Sequence, residues 1–219
     1  TMTQPQFDSL RKIVYQRSGI HFQDSKKYVL ESRLSRRLEE LGFDSFDQYL
    51  MFLTAGPYQS DEFQEMFNRI TINETSFFRN EPQLDVFEKD VLPRLMEARK
   101  SSKRLRIWSS ASSTGEEPYT LAIQVHGSLG VRLADWRVEI LGTDISEPVL
   151  KLAKAGVYTA HALRHVPSHL KSRHFTAHGE NFAISHAMKS RVKFMNLNLY
   201  DRPRLKLVRG IDIIFCRNC

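Results

Sequence analysis

Between residues 104 and 144 the chain sets out residue types suited to holding a nucleoside. Arg104-Leu-Arg-Ile-Trp108 runs into the small residues Ser109-Ser-Ala-Ser-Ser-Thr-Gly115, and Glu116-Glu-Pro118 then opens a helix. A second strand-like stretch, Val138-Glu-Ile-Leu-Gly-Thr-Asp144, ends in an acid. Strand, small-residue turn, helix, strand and terminal acid is the order by which a Rossmann-like sheet holds an adenosine. The turn has the single glycine Gly115 instead of a three-glycine pyrophosphate fingerprint. A ligand without a pyrophosphate fits it better, and S-adenosylmethionine is one. The same pattern also suits an ordinary strand–loop–helix crossover.

The surrounding elements follow from periodicity. Residues 1–70 read as four short amphipathic helices with stripes Phe7/Leu10/Ile13/Val14, Leu30/Leu34/Leu38/Leu41, Phe46/Tyr49/Leu50/Leu53 and Phe63/Met66/Phe67/Ile70. Gly19, Gly42 and Gly56-Pro57 act as the stops between them. Residues 71–103 are a linker and connecting helix, with a helix from Glu81 to Met96 interrupted at Pro93. From 104 onward strands (104–108, 136–142) alternate with helices (116–127, 147–155), which predicts a parallel sheet flanked by helices. Within about 157–190, a short helix at 163–170 and a hairpin turning at His178-Gly-Glu180 predict a small antiparallel β insert. Arg191–Met195 is a further strand, and the continuous apolar run 210–216 predicts a buried central strand. The fold class is therefore α/β: a Rossmann-like methyltransferase domain, 104–219, behind a small all-α domain, 1–70. With only about four parallel strands readable where such sheets have seven, the chain is expected to stop before the last strands.

Composition bounds the partners. The chain has 219 residues and a net charge of +7, and the excess is local: thirteen basic and three acidic residues lie in 151–219. The counts are nine and ten in 1–70, and ten and twelve in 71–150. Six of the eight histidines also fall in the last third and read as mostly exposed. Such a region attracts an acidic protein surface or nucleic acid. No aromatic-rich stretch accompanies the basic residues, which argues against single-strand nucleic-acid binding. The two cysteines, Cys216 and Cys219, are too few for a disulfide scaffold and suggest a reducing cytoplasm; no metal site is expected from them.

Four segments together resemble the CheR family of chemotaxis receptor methyltransferases: Asn73-Glu-Thr-Ser-Phe-Phe-Arg79, Ser113-Thr-Gly-Glu-Glu-Pro-Tyr119, Gly142-Thr-Asp-Ile145 and Asp212-Ile-Ile-Phe-Cys-Arg-Asn218. The resemblance implies a helical domain, a linker reaching over the cofactor, and an S-adenosylmethionine domain with a β insert. It implies cofactor contacts at Asn73, Thr75, Arg79, Glu117, Asp144, Asn198, Leu199, Asn218 and Cys219. Cys219 stands where the family has an apolar residue such as Val.

Alternatives stay open for several of these. Arg79 also suits a surface ion pair with Glu74 or Glu81, Glu117 a helix-dipole role, Asp144 an N-cap, and Asn198 a plain loop. In the resemblance, Arg79 is also the catalytic residue, aligning a carboxylate. Lys26, Arg33, Arg36 and Arg37 on the second helix would face the cytoplasmic helical region of chemotaxis receptors.

The implied activity is transfer of a methyl group to glutamate carboxylates, giving methyl esters and leaving S-adenosylhomocysteine. No nucleic acid and no membrane insertion are expected. The alternatives are a nucleic-acid methyltransferase on the same fold and a non-catalytic cofactor-binding adaptor.

Overall fold

The computed structural model describes residues 1–55 and 59–218, so Gly56, Pro57, Tyr58 and Cys219, the expected Gly56-Pro57 stop among them, lie outside the described residues. Two compact units divide the chain: Thr1–Ile72 with Asn198–Leu205, and Asn73–Leu197 with Lys206–Cys219.

The first unit is four helices: α1 (Gln4–Ser18), α2 (Lys27–Leu41), α3 (Phe46–Ala55) and α4 (Gln59–Ile70). α1 opens on a capping box, with Gln6 N donating to Thr3 Oγ1 and Thr3 N to Gln6 Oε1, and it closes on Gly19 at φ +73°. The expected stripes supply its core: Phe7, Leu10, Val14, Leu30, Leu34, Tyr49, Leu53, Met66 and Ile70 are almost wholly buried. One carboxylate is buried among them. Glu62, 3 % exposed, accepts from Arg37 Nε (3.1 Å) and Nη2 (2.6 Å) and from the Tyr49 hydroxyl (2.8 Å).

Residues 198–205 pack with these helices. The Asn198 amide donates to Arg17 O at 2.7 Å. The Tyr200 ring lies so close to Gly19 that a Cβ there would sit 3.1 Å from it.

The second unit holds a parallel four-stranded sheet, β6-β2-β1-β7, and a three-stranded antiparallel sheet, β3-β5-β4. The strands are β1 (Arg104–Ser110), β2 (Arg137–Asp144), β3 (Val157–Tyr158), β4 (Phe175–His178), β5 (Asn181–Ile184), β6 (Val192–Asn196) and β7 (Ile213–Cys216). Ile107 faces Ile140 on one side and Ile213 on the other, so the register stacks apolar residues across the sheet. This is the Rossmann-like sheet with helices and a small antiparallel insert that the alternation predicts.

Three details differ from the sequence reading. The helix after the linker is not broken at Pro93. α5 (Glu81–Val86) passes through a π-turn, Phe87–Val91, into α6 (Leu92–Ala98), with Leu92 N bonded to Phe87 O. The wider turn just before Pro93 adapts the backbone to a residue with no N–H. The apolar run 210–216 contains a shorter strand, β7 (Ile213–Cys216), which is last in the order of the described sheet, with Ile214 54 % exposed. The insert's helix, α9 (Ser168–His174), begins after Pro167, because Pro favours a helix start over a helix interior. The histidines of the last third are mostly exposed as expected, with His174 the one buried exception.

His174 has a measurable consequence. Its ring meets His126 edge-on at 5.2 Å, and burial, with His126 and Arg173 nearby, pushes its pKa down to about 4. The unfolded chain takes up that proton near pH 6.5. Between these values the unfolded state binds more protons, so stability falls as pH drops from 6.5 towards 4. The expected loss is roughly 2–3 kcal/mol, and His174→Phe should flatten this acid limb in calorimetric melts. An unchanged limb in the variant would refute it.

Candidate functional site

The helices α7 (Glu116–Leu129) and α8 (Glu147–Ala155) follow β1 and β2 and flank the sheet. β1 and β2 end side by side, with Ser110 facing Thr143. The loop beyond them is tightly tied. Ser112 N donates to Thr143 O (2.8 Å), Gly115 N to Ser112 O (3.0 Å) and Tyr119 N to Gly115 O (3.1 Å), which leads directly into α7.

Three residues of this turn adopt positive φ: Ala111 (+53°), Ser113 (+49°) and Gly115 (+95°). Left-handed backbone at non-glycine positions costs energy, and it concentrates where a fold shapes a ligand site. At Gly115 even the space is closed, since a Cβ would lie 2.9 Å from Ala153 Cβ and 3.0 Å from the Tyr158 hydroxyl oxygen. The one glycine of the motif is thus demanded by both conformation and packing.

Asp144 sits at the tip of β2, 6 % exposed. Its Oδ2 accepts from Ser113 N (2.8 Å) and its Oδ1 from Ser146 N (2.9 Å). Burial raises its pKa, and these backbone donors oppose the shift. Each oxygen keeps a further lone pair for a hydroxyl donor. The N-cap of α8 is Ser146, not Asp144, and its side chain makes no cap bond; Asp144 binds the cap residue's own N–H from two positions earlier.

On the same loops as the carboxylate's donors, Ser112 Oγ and Ser146 Oγ are buried with no hydrogen-bond partner among the described residues. Unpaired buried hydroxyls are uncommon and each requires an explanation. A ligand rich in hydroxyls and amines supplies one, which fits an adenosine derivative.

At the N-terminus of α7, Glu117 accepts from Ser109 Oγ (2.7 Å) and from Arg217 Nη1 (3.1 Å). Burial raises its pKa, against Ser109, Arg217 and Arg79, which lower it. Glu116 is the more deeply buried of the pair and accepts from Thr114 Oγ1 at 2.6 Å.

The linker is clamped from two sides. Phe77 N donates to Ala162 O and Phe78 N to Thr120 Oγ1, each at 3.1 Å. The buried Phe77 ring packs edge-on against Tyr158 and Phe175, and Phe78 and Asn80 take φ of +54° and +65°. Asn73 is tied to the glycine turn through its carbonyl, which accepts from Ser113 Oγ at 3.3 Å. Thr75 is half-buried. Arg79 is exposed and pairs with neither Glu74 nor Glu81 through a carboxylate; its Nη1 donates to Glu74 O at 2.8 Å.

Arg217 is the residue that sequence reasoning passed over. It joins Glu117 to the linker, with Nη2 donating to Arg79 O at 2.9 Å, and Asn218 follows it at φ +52°. Its only sequence signal is its place beside Asn218 in the last of the four segments.

The structure brings Asn73, Arg79, Glu117, Asp144 and Asn218 into one connected neighbourhood of the second unit. Asn198 and Leu199 belong to the first unit. Both ends of the Asn198 amide are engaged there, Nδ2 on Arg17 O and Oδ1 accepting from Tyr200 N at 2.9 Å. Cys219 falls outside the described residues.

Of the four basic residues expected to face a partner, two are spent inside the helical unit instead. Arg33 Nη1 donates to the carbonyls of Arg69, Ile70 and Thr71, capping α4, and Arg37 is bound to Glu62. Lys26 is exposed, and Arg36 is 81 % exposed beside Glu40.

Residues 73–219 match the domain described as "CheR methyltransferase, SAM binding domain", and residues 5–71 match "CheR methyltransferase, all-alpha domain". The chain belongs to the CheR methyltransferase family. It is similar to the chemotaxis protein methyltransferase of Borreliella burgdorferi, 34 % identical over 99 % of this chain and 77 % of that protein. The chemotaxis protein methyltransferase 2 of Pseudomonas aeruginosa is 37 % identical over 99 % of this chain and 75 % of that protein. The Escherichia coli chemotaxis protein methyltransferase is 34 % identical over 97 % and 72 %.

Membership of the family makes this an S-adenosylmethionine-dependent methyltransferase, and S-adenosylmethionine its cofactor. Among the described residues, no helix is long and apolar enough to cross a membrane, and no cluster of His, Cys, Asp and Glu could hold a metal.

Proposed function

We propose that this methyltransferase acts in the cytoplasm on glutamate side chains in the helical region of chemotaxis receptors, forming methyl esters. The observation that carries the reading is the pairing of a nucleoside-shaped end with an anion-guiding end. Asp144 and the unpartnered Ser112 and Ser146 hydroxyls provide the first. Arg79, on a backbone fixed at Phe77 and Phe78, provides the second. The relatives' names support the setting, since they are chemotaxis protein methyltransferases.

S-adenosylmethionine supplies a methyl group on a sulfonium centre. Asp144 is suited to accept from ribose hydroxyls, and Asn73, Thr75, Glu117 and Asn218 to line the remainder. A glutamate carboxylate is already ionised at neutral pH, so no side chain here has to act as a base. What the protein must provide is alignment. Because anion and cation neutralise each other as the ester forms, tight ion pairing of the free carboxylate would slow the reaction. Arg79 is placed accordingly: exposed, half-engaged by Glu74 O, and able to orient a carboxylate without burying it.

The test is transfer of labelled methyl to a soluble receptor cytoplasmic fragment. Base-labile label should appear on wild-type receptor and vanish when the acceptor glutamates are replaced by Ala. Arg79→Ala should lower the rate about tenfold at saturating cofactor and receptor, the loss of one charge-assisted contact. A full rate in that variant would remove Arg79 from the role, and label on nucleic acid would overturn the substrate.

A further inference from the structure

A concavity of the same unit lies along the linker. It is a cleft of about 490 Å³ lined by Ser76, Phe78, Arg79, Asn80, Glu81, Arg164, His165 and Pro167. Its two walls are one rigid piece, because Phe77 N is bonded to Ala162 O two residues before Arg164.

Three features of the cleft favour an anion. Two arginines, Arg79 and Arg164, line it against the single acidic residue Glu81. Arg79 and Arg164 each use Nη1 on a nearby carbonyl, of Glu74 and of His161, which fixes the side chains and leaves further donors. The Ser76 hydroxyl, on a residue 2 % exposed, is buried in the wall with no partner in the protein. An unpaired hydroxyl on a residue of a cleft that two arginines also line is an arrangement that a carboxylate completes.

We propose that this cleft binds an acidic side chain of the protein substrate beside the glutamate being modified, with Ser76, Arg164 and His165 as specificity-determining residues. The inference rests on the reading of the adjacent site as one that methylates glutamates. It extends that reading by stating what the enzyme recognises around its target: a segment carrying a second acid, not an isolated glutamate. Arg79 lies on the boundary and serves both places. Arg164 and His165 are exposed and sit within the insert, between β3 and α9, and Arg164 accounts for part of the positive charge of the last third.

The experiment has a binding arm and a transfer arm. In the first, the full chain is titrated with a labelled helical peptide carrying three spaced glutamates, and with the same peptide having glutamine at the two flanking positions. Wild type should prefer the acidic peptide by about tenfold, the worth of one or two charge-assisted contacts near a surface. Arg164→Ala with His165→Ala should abolish the preference, while S-adenosylhomocysteine affinity and a Lys154→Ala control stay unchanged. Ser76→Ala should weaken the acidic peptide a few-fold without lowering the melting temperature, since the hydroxyl has no protein partner to lose. Retained preference in the double variant overturns the assignment, as does a Ser76→Ala variant that melts early and binds normally.

In the transfer arm, the double variant should raise KM for receptor with kcat kept. An unchanged KM would sink the cleft and leave the methylation reading intact. Lost peptide preference together with no transfer by wild type would do the reverse.

Discussion

Asp144→Ala should weaken S-adenosylhomocysteine binding by about 100-fold or more, measured by calorimetric titration. Two hydroxyl donors to one carboxylate are each worth about 1.5–3 kcal/mol, and 1.4 kcal/mol is a factor of ten. The variant should also lose stability, for a reason separate from the ligand. Asp144 accepts from Ser113 N and Ser146 N in a buried setting, and both donors would be orphaned. Each orphan costs about 1–3 kcal/mol.

Asp144→Asn divides the two effects. One oxygen survives to accept from a backbone N–H, so part of the fold stability returns, while the charge that favours ribose hydroxyls does not. Wild-type affinity in the alanine variant would remove the acid from the cofactor site.

The largest purely structural effect is expected at Glu62→Ala. Its carboxylate takes three hydrogen bonds, two from Arg37 and one from Tyr49, inside the helical unit. The loss should be about 3 kcal/mol, the low end for breaking a buried ion pair, because the buried Tyr49 phenol loses its acceptor while the half-buried Arg37 guanidinium keeps Glu40. Denaturant unfolding should show this as a lowered midpoint with little change in slope. Replacing all three together by Glu62→Leu, Arg37→Leu and Tyr49→Phe should recover most of the loss, since a well-packed apolar set can stand in for a buried pair. A single variant as stable as wild type would show that the pairing contributes nothing.

What the sequence made legible is what depends on local spacing. The helical stripes came from the 3.6-residue period, and β1, α7 and β2 from the order of apolar runs around Gly115. The acid at the tip of β2 was visible because it ends such a run. What escaped notice depends on distant chain meeting at one point. Arg217 bonds Glu117, a hundred residues away, and no periodicity announces that. Arg33 and Arg37 look like an exposed basic flank because three- and four-residue spacing says which residues share a face. It does not say that the carbonyls of Arg69–Thr71 and the carboxylate of Glu62 would come to meet them. The run at 210–216 shows the same limit, since apolar content does not say where within it the strand pairing begins, at Ile213.

The passage of residues 198–205 into the helical unit means that the molecule is contiguous in space where it is interrupted in sequence. The family's two domain matches meet between residues 71 and 73. Scissors applied there would still not free one body from the other cleanly. A piece beginning at residue 73 would carry Asn198 away from the Arg17 carbonyl and strip Tyr200 of Gly19 and Tyr15, its aromatic neighbour at 6.4 Å. Dissection of this enzyme into working halves therefore calls for a graft that rebuilds that eight-residue visitor, not a single cut.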